Sequence, residues 1–347
     1  MRIGDAKTSY AADEALLQNS DQKLGLVVLL LVLALYPFVA GPYWVYLACL
    51  VAINVASATG LNILTGFTGL VSLGQAAFMG VGAYTVAWMQ IHLGTPVAVN
   101  LIAGGLTAGV VGIAVGIPSL RVKGLYLAIA TIAASVILHF VFQNWTSVTG
   151  GTTGLSMPAA SVFGIELDRP EELYWLIVPV ACLMVLGAAN LFRTRIGRAF
   201  IAIRDRDISA EVLGIPLLRY KLISFGLSSF YAGVAGGLWA YFFRVVTPES
   251  FPLVMSIFFL AAIIVGGMGS ILGGILGAVF MTLVPEVLKM AVGWLAPILP
   301  DAVAVLSPVR TIVFGALIVG FLIFEPQGLA EIWRRLRRFF HLWPFRT

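Results

Sequence analysis

Charged residues are scarce in this sequence, at 11% of its 347 residues, while hydrophobic residues make up 60%. Soluble globular domains carry about 25% charged residues. A chain of this length could bury a large soluble core, but it lacks the polar surface to cover one. The composition therefore excludes an ordinary soluble protein and makes lipid the solvent for much of the outer surface.

Reactive side chains are also few. The only cysteines, Cys49 and Cys182, fall in apolar runs and have no metal-binding or redox spacing. The histidines, His92, His139 and His341, are far apart along the chain. The sequence contains neither the glycine-rich phosphate-binding motif of nucleotide-hydrolysing proteins nor the H-E-x-x-H motif of zinc proteases. We therefore predict that the chain is not an enzyme and has no cofactor of its own.

The sequence has instead a series of long apolar runs. A membrane-spanning helix needs about 20 mostly apolar residues. Ten segments approach this requirement: 24–40, 43–62, 70–91, 97–117, 124–143, 172–191, 221–244, 252–267, 270–290 and 308–324. Because several of them lie close together, we predict an all-α fold, a polytopic transmembrane helix bundle of about 8–10 spans.

The basic residues are distributed unevenly between the loops. With the N-terminus in the cytoplasm and the spans alternating, 17 of the 21 lysines and arginines fall on the cytoplasmic side. This is the positive-inside bias of membrane proteins, so the net charge of +5 requires no nucleic-acid partner. We predict that both termini are cytoplasmic, with a cytoplasmic segment over 1–23, a transmembrane domain over 24–330 and a basic cytoplasmic tail over 331–347.

Two polar segments interrupt the apolar pattern. Residues 144–172 end in an acidic cluster and are predicted to form an external, periplasmic loop. Residues 192–221 contain seven basic residues and are predicted to be cytoplasmic. Within this basic segment, residues 198–203 mix basic and apolar side chains in a pattern suited to the membrane surface.

A short helix is predicted near the middle of the basic segment. Asp207 suits its N-terminus, and Gly214 follows its last residue, Leu213. Ile208, Val212 and Leu213 give this helix an apolar face. Such a helix can dock in a groove of a partner protein. The alternative is a solvated basic loop that only fixes the topology.

Two glycine-rich stretches break the helical pattern, Gly66–Gln75 in the first half of the chain and Gly266–Gly274 in the second. Paired interruptions can mark an internal repeat with a substrate path at its interface. The polar residues beside the first break are therefore candidate path residues: Thr65, Thr68, Ser72 and Gln75. The alternative is that they form hydrogen bonds that hold helices together.

Charged residues are absent from the centres of the predicted spans. A charge there costs at least about 2.5–3.5 kcal/mol, and proton-coupled carriers commonly keep one as a relay. The sequence shows no such relay, so transport by this chain would need a source of energy other than proton coupling.

Five motifs spread over most of the chain resemble those of a known family. The most specific is Gly60–Tyr84, GLNILTGFTGLVSLGQAAFMGVGAY; the others are Leu120–Thr131, Thr149–Leu155, Gly197–Ile215 and Val265–Gly273. They are similar to motifs of the branched-chain amino acid ABC transporter permease family, LivM-type, in which the fourth motif forms the coupling helix. One departure is Gln75, where many relatives are expected to have histidine.

The resemblance implies one permease subunit of an ATP-driven importer in the bacterial inner membrane. The implied partners are a second homologous permease subunit, two cytoplasmic ATPase subunits that bind ATP and Mg, and a periplasmic or lipid-anchored substrate-binding protein, together with membrane lipid. It also implies that the following residues couple the chain to an ATPase: Arg198, Arg204, Asp205, Asp207, Glu211, Val212, Leu213 and Gly214.

The implied solutes are branched-chain or other hydrophobic amino acids. Related importers of urea, short amides or aromatic acids resemble this family closely in their permeases, so these solutes are alternatives. A stand-alone secondary carrier or channel is the alternative from a different class of protein.

Overall fold

The chain folds into a bundle of long helices. A computed structural model describes residues 20–122, 124–162, 165–295 and 327–342, with isolated positions between 312 and 323. Among the described residues, the α-helices longer than one turn are α1 (Ser20–Val39), α2 (Pro42–Leu61), α3 (Gln75–Leu93), α4 (Val97–Ser119), α5 (Leu125–Asn144), α6 (Pro170–Leu191), α7 (Arg195–Asp205), α8 (Asp207–Val212), α9 (Leu217–Phe243), α10 (Leu253–Gly266), α11 (Ile271–Leu295) and α12 (Leu329–Leu342). A π-helical segment, Asn62–Phe67, extends α2.

Seven segments among the described residues are long and apolar enough to cross a membrane: Pro42–Phe67, Val97–Ser119, Leu125–Asn144, Pro170–Leu191, Leu217–Phe243, Pro248–Gly266 and Ile271–Met290. Two further predicted spans are also helices: α1, whose apolar part is the shorter Leu24–Val39, and α3, which begins at Gln75 rather than at 70. The predicted polytopic all-α fold is confirmed. The predicted span 308–324 lies largely outside the described residues, as do residues 1–19 of the predicted N-terminal segment.

Helix α9 lies at the centre of the bundle, against α2, α3 and α4. Small residues let these helices approach closely. A Cβ atom on Gly82 would overlap the backbone of Gly233, and a Cβ atom on Gly233 would lie 2.5 Å from the Cβ atom of Ala108. Because lipid provides no hydrophobic drive for helix association, close backbone packing of this kind contributes to holding the bundle together.

Short strands order the loops at one end of the bundle, which we call the strand end. The strands are β1 (Leu155–Ser156), β2 (Ala160–Val162), β3 (Ile165–Leu167) and β4 (Val245–Val246), and they form the antiparallel pairs β1–β4 and β2–β3. Arg244, the residue after α9, is linked to the residue after β3, because its Nη2 atom donates to the Oδ1 atom of Asp168 over 2.8 Å. The opposite end carries α7 and α8 with their basic residues, and we call it the basic end.

Candidate functional site

The two glycine-rich breaks predicted from the sequence meet in the structure. Residues 69–74 are non-helical, and residues 267–270 separate α10 from α11. Asn62, in the π-helical segment that leads to the first break, is hydrogen-bonded to the second break. Its Nδ2 atom donates to the carbonyl of Ser270 over 2.8 Å, and its Oδ1 atom accepts from the N–H of Gly269 over 3.0 Å. Non-helical backbone within a membrane protein needs such partners inside the protein, so Asn62 stabilises the second break.

Arg204, in the last turn of α7, contacts both breaks. A Cβ atom on Gly69 would lie 3.5 Å from the Cα atom of Arg204, and a Cβ atom on Gly269 would overlap its Nη1 atom. Both glycines have positive φ angles, 75° and 76°. A side chain at either position would therefore strain the backbone, and one at Gly269 would also displace the guanidinium. Arg204 is also exposed, and its contact with an ATPase stays a prediction.

Helix α7 packs its apolar face against the bundle. Thr194 caps the helix by accepting a hydrogen bond from the backbone N–H three residues later. Phe200 is 0% exposed and Ile203 is 4% exposed. The ring of Phe200 meets that of Tyr220 edge-on, with 6.5 Å between their centroids. Ile201, between Phe200 and Ile203 in the sequence, is 38% exposed, so protein covers only part of the apolar surface of α7. The membrane-surface position of 198–203 stays a prediction.

Helix α8 is joined to α7 by a single extended residue, Arg206, with φ −156° and ψ 104°. The helix ends in a Schellman motif, the hydrogen-bonded turn that commonly closes a helix at glycine. The N–H of Gly214 donates to the carbonyl of Glu211 over 2.9 Å, and the N–H of Ile215 donates to the carbonyl of Ala210 over 3.0 Å. The φ angle of Gly214 is 85°, so the positive value predicted from the sequence is observed.

The apolar side chains of α8 and its cap are uncovered. Ile208 is 72% exposed, Val212 is 84% exposed and Leu213 is 80% exposed. The helix is held at its start by an ion pair between Asp207 and Lys221, with 3.8 Å between Oδ2 and Nζ. An apolar cluster exposed in this way indicates a surface that another molecule covers.

The residues predicted to couple to an ATPase fall into two groups. On α7, Arg198 donates from Nη1 to the carbonyl of Arg193 over 3.0 Å, and Arg204 lies against the two breaks. The other predicted residues follow one another from the end of α7 to the cap of α8: Asp205, Asp207, Glu211, Val212, Leu213 and Gly214. This second group contains the uncovered apolar side chains Val212 and Leu213.

Comparison with known proteins assigns the fold to a family. The family described as "Branched-chain amino acid transport system / permease component" matches residues 43–322. This match includes every helix from α2 to α11. The chain belongs to this family of membrane permeases.

Individual relatives carry the same description. The high-affinity branched-chain amino acid transport system permease protein LivM of Escherichia coli K12 is 32% identical over 90% of this permease and 76% of its own length. LivM of Salmonella typhimurium LT2 gives the same values. The probable branched-chain amino acid transport permease protein LivH of Methanocaldococcus jannaschii is 26% identical over 82% of this chain and 90% of its own length. No solved structure matched.

The permease holds its four predicted path residues inside the chain. Thr65, Thr68, Ser72 and Gln75 are each at most 5% exposed. The two threonine hydroxyls donate to backbone carbonyls five residues away along the chain, and the Nε2 atom of Gln75 donates to the carbonyl of Ser57 over 2.9 Å. These bonds fix the shape of the first break. Contact with a solute stays a prediction for these residues.

Asn62, which is 1% exposed and lies in the π-helical segment, is not among the residues predicted from the sequence. A polar amide inside an apolar span, four residues before a glycine, was the available signal, because buried polar groups at membrane depth are kept for a purpose. Among the residues that the structure describes, no group of three or more histidine, cysteine, aspartate or glutamate side chains could hold a metal ion.

Proposed function

We propose that this chain is one permease subunit of an ATP-driven importer in the bacterial inner membrane, where it forms half of the translocation pathway for branched-chain amino acids. The observation that supports this function most directly is the exposed apolar helix α8 at the basic end. The family match and the names of its LivM relatives support the choice of solute.

Helix α8 suits the docking of a cytoplasmic ATPase subunit. The positive-inside bias supports a cytoplasmic location for the basic end and for both termini. There, a partner with a hydrophobic groove would bury Ile208, Val212 and Leu213. The complete assembly then contains a second homologous permease subunit, two ATPase subunits that hold ATP and Mg, and a periplasmic or lipid-anchored binding protein at the strand end.

Arg204 transmits movement of the docked helix into the membrane. It lies three residues before the start of α8 and contacts the backbone at Gly69 and Gly269, one glycine in each break. A displacement of α8 therefore acts on both breaks together. In this proposal, Thr65, Thr68, Ser72 and Gln75 keep the first break in shape beside the translocation path.

Reconstitution tests the proposed function. Liposomes containing the chain, the second permease and both ATPase subunits, supplied with the binding protein, are expected to take up labelled leucine only when the ATPases receive ATP. The chain alone is expected to give no uptake. Gradient-driven uptake by the chain alone would overturn the proposal and indicate a stand-alone carrier.

Competition in the same liposomes tests the solute. An excess of unlabelled leucine, isoleucine or valine should suppress the uptake of labelled leucine, whereas urea, acetamide or an aromatic acid should not. ATP-dependent uptake of urea or an aromatic acid without any uptake of leucine would assign the chain to one of the related importers instead.

A further inference from the structure

One face of α5 carries a stripe of polar side chains at every fourth position. Thr131, Ser135, His139 and Gln143 follow this spacing, which places them on one side of a helix. The opposite side is apolar, and its Ile137 is 62% exposed. Polar side chains within a membrane span almost always face the protein interior or a water-filled cavity, so this stripe indicates a polar environment at membrane depth.

At the N-terminal end of the stripe, Thr131 contacts the first break. The hydroxyl of Thr131 accepts a hydrogen bond from the N–H of Leu73 over 2.9 Å and donates to the carbonyl of Ala128 over 2.8 Å. At the C-terminal end of the stripe, the side chains of Gln143 and His139 form a hydrogen bond, with 3.1 Å between their Nε2 atoms. The stripe therefore runs from the first break towards the strand end.

The middle of the stripe lines a cavity of about 230 Å³ between α5, α3 and α10, which we call the α5 cavity. Ser135, His139 and Ser256 give it polar groups, and Phe251 and Leu253 are among its apolar lining residues. One water needs about 10–15 Å³ of such space, so the cavity has room for a small solute with some of its water.

The walls of the α5 cavity are connected to both breaks. Helix α3 begins directly after the first break, and α10 ends at the second. The two helices are joined at the cavity, where the N–H of Ala76 donates to the hydroxyl of Ser256 over 2.9 Å. A movement of either break therefore moves a wall of this cavity.

We propose that the α5 cavity is a binding site on the path of the transported solute. This inference rests on the proposed function. The ligand class is a small amphiphilic solute such as a hydrophobic amino acid. Its charged groups would bind Ser135, His139 and Ser256, and its side chain would contact Phe251 and Leu253. The four path residues predicted beside the first break would then act indirectly, by holding the break that precedes α3 in shape.

Cysteine labelling tests the site in membranes that contain the complete complex. The two native cysteines are replaced by alanine, and a cysteine is introduced as Ser135→Cys, His139→Cys or, as the matched control, Ile137→Cys. A charged, membrane-impermeant thiol reagent modifies thiols that reach water, because the thiolate is the reactive species. We expect Ser135→Cys and His139→Cys to be modified at least tenfold faster than Ile137→Cys, which lies on the opposite face of α5.

Leucine-loaded binding protein together with ATP should slow the modification of Ser135→Cys. Modification of Ser135→Cys no faster than that of Ile137→Cys would overturn the α5 cavity as a site on the path. Labelling does not require a particular solute. If Ser135→Cys is modified at the expected rate but its cysteine-free parent complex does not take up leucine, the α5 cavity remains a site on the path and only the choice of leucine as the solute is overturned.

A bulky substitution provides a second measurement. Ser135→Trp would fill the α5 cavity, so leucine uptake should fall at least tenfold while the ATPase subunits stay bound, and Ile137→Trp should keep its uptake. Undiminished uptake by Ser135→Trp would contradict the proposal. If this variant does not accumulate in the membrane, the labelling rates decide.

Discussion

Helices α7 and α8 are neighbours in one basic loop, separated by a single residue, but their apolar side chains have opposite surroundings. On α7, Phe200 and Ile203 are at most 4% exposed, whereas on α8, Ile208 and Val212 are at least 72% exposed. The difference shows that α7 is part of the permease fold, while α8 is an apolar helix that this chain leaves uncovered. One helix stabilises the protein, and the other is available to a partner.

The largest effect is expected for Leu213→Asp. The substitution places a carboxylate in the surface that the ATPase would bury. Loss of one buried apolar anchor costs at least about 2 kcal/mol of binding free energy, which is roughly 30-fold in affinity. Uptake and substrate-stimulated ATP hydrolysis should both be lost, although the permease still inserts in the membrane. Normal transport with the ATPases bound would show that the docking helix lies elsewhere and that the loop only fixes topology.

Phe200→Ala is expected to lower the folding stability of the permease rather than its affinity for the ATPase. Truncating a fully buried phenylalanine typically costs about 3–5 kcal/mol of folding free energy. The midpoint of thermal unfolding of the isolated permease should therefore fall. Leu213→Ala is the control, and its midpoint should not change because Leu213 is 80% exposed in the isolated chain. Equal losses of stability in the two variants would contradict the distinction between α7 and α8.

The smallest effect is expected for Glu211→Ala. Glu211 lies on the exposed part of α8, so its carboxylate belongs to the rim of the docking surface. Exposed charge pairs contribute roughly 0–1 kcal/mol and act mainly on association rate. Uptake should fall less than about fivefold, with the difference shrinking at high salt. A loss as large as that of Leu213→Asp would mean that a charge, rather than the apolar cluster, carries the binding energy.

Local patterns in the sequence were sufficient for most spans in the described part of the chain, for the breaks and for α8. Asp207 and Gly214 bounded α8 because helix ends depend on nearby residues. The contact between Asn62 and Gly269 joins residues 207 positions apart, and no local pattern contains that information. The four-residue spacing of polar side chains on α5 is visible in the sequence, but only the structure shows that Ser135 and His139 line a cavity. Long-range packing also decided which face of α7 is buried.

Arg206 has a consequence for how energy from ATP reaches the membrane. It is the only residue between α7 and α8, and Arg204 lies two positions before it. Two residues span at most about 7 Å even when fully extended. In the proposed assembly, the connection from a docked ATPase to the two breaks would therefore be short and stiff, and most of any displacement of α8 would reach Gly69 and Gly269 together.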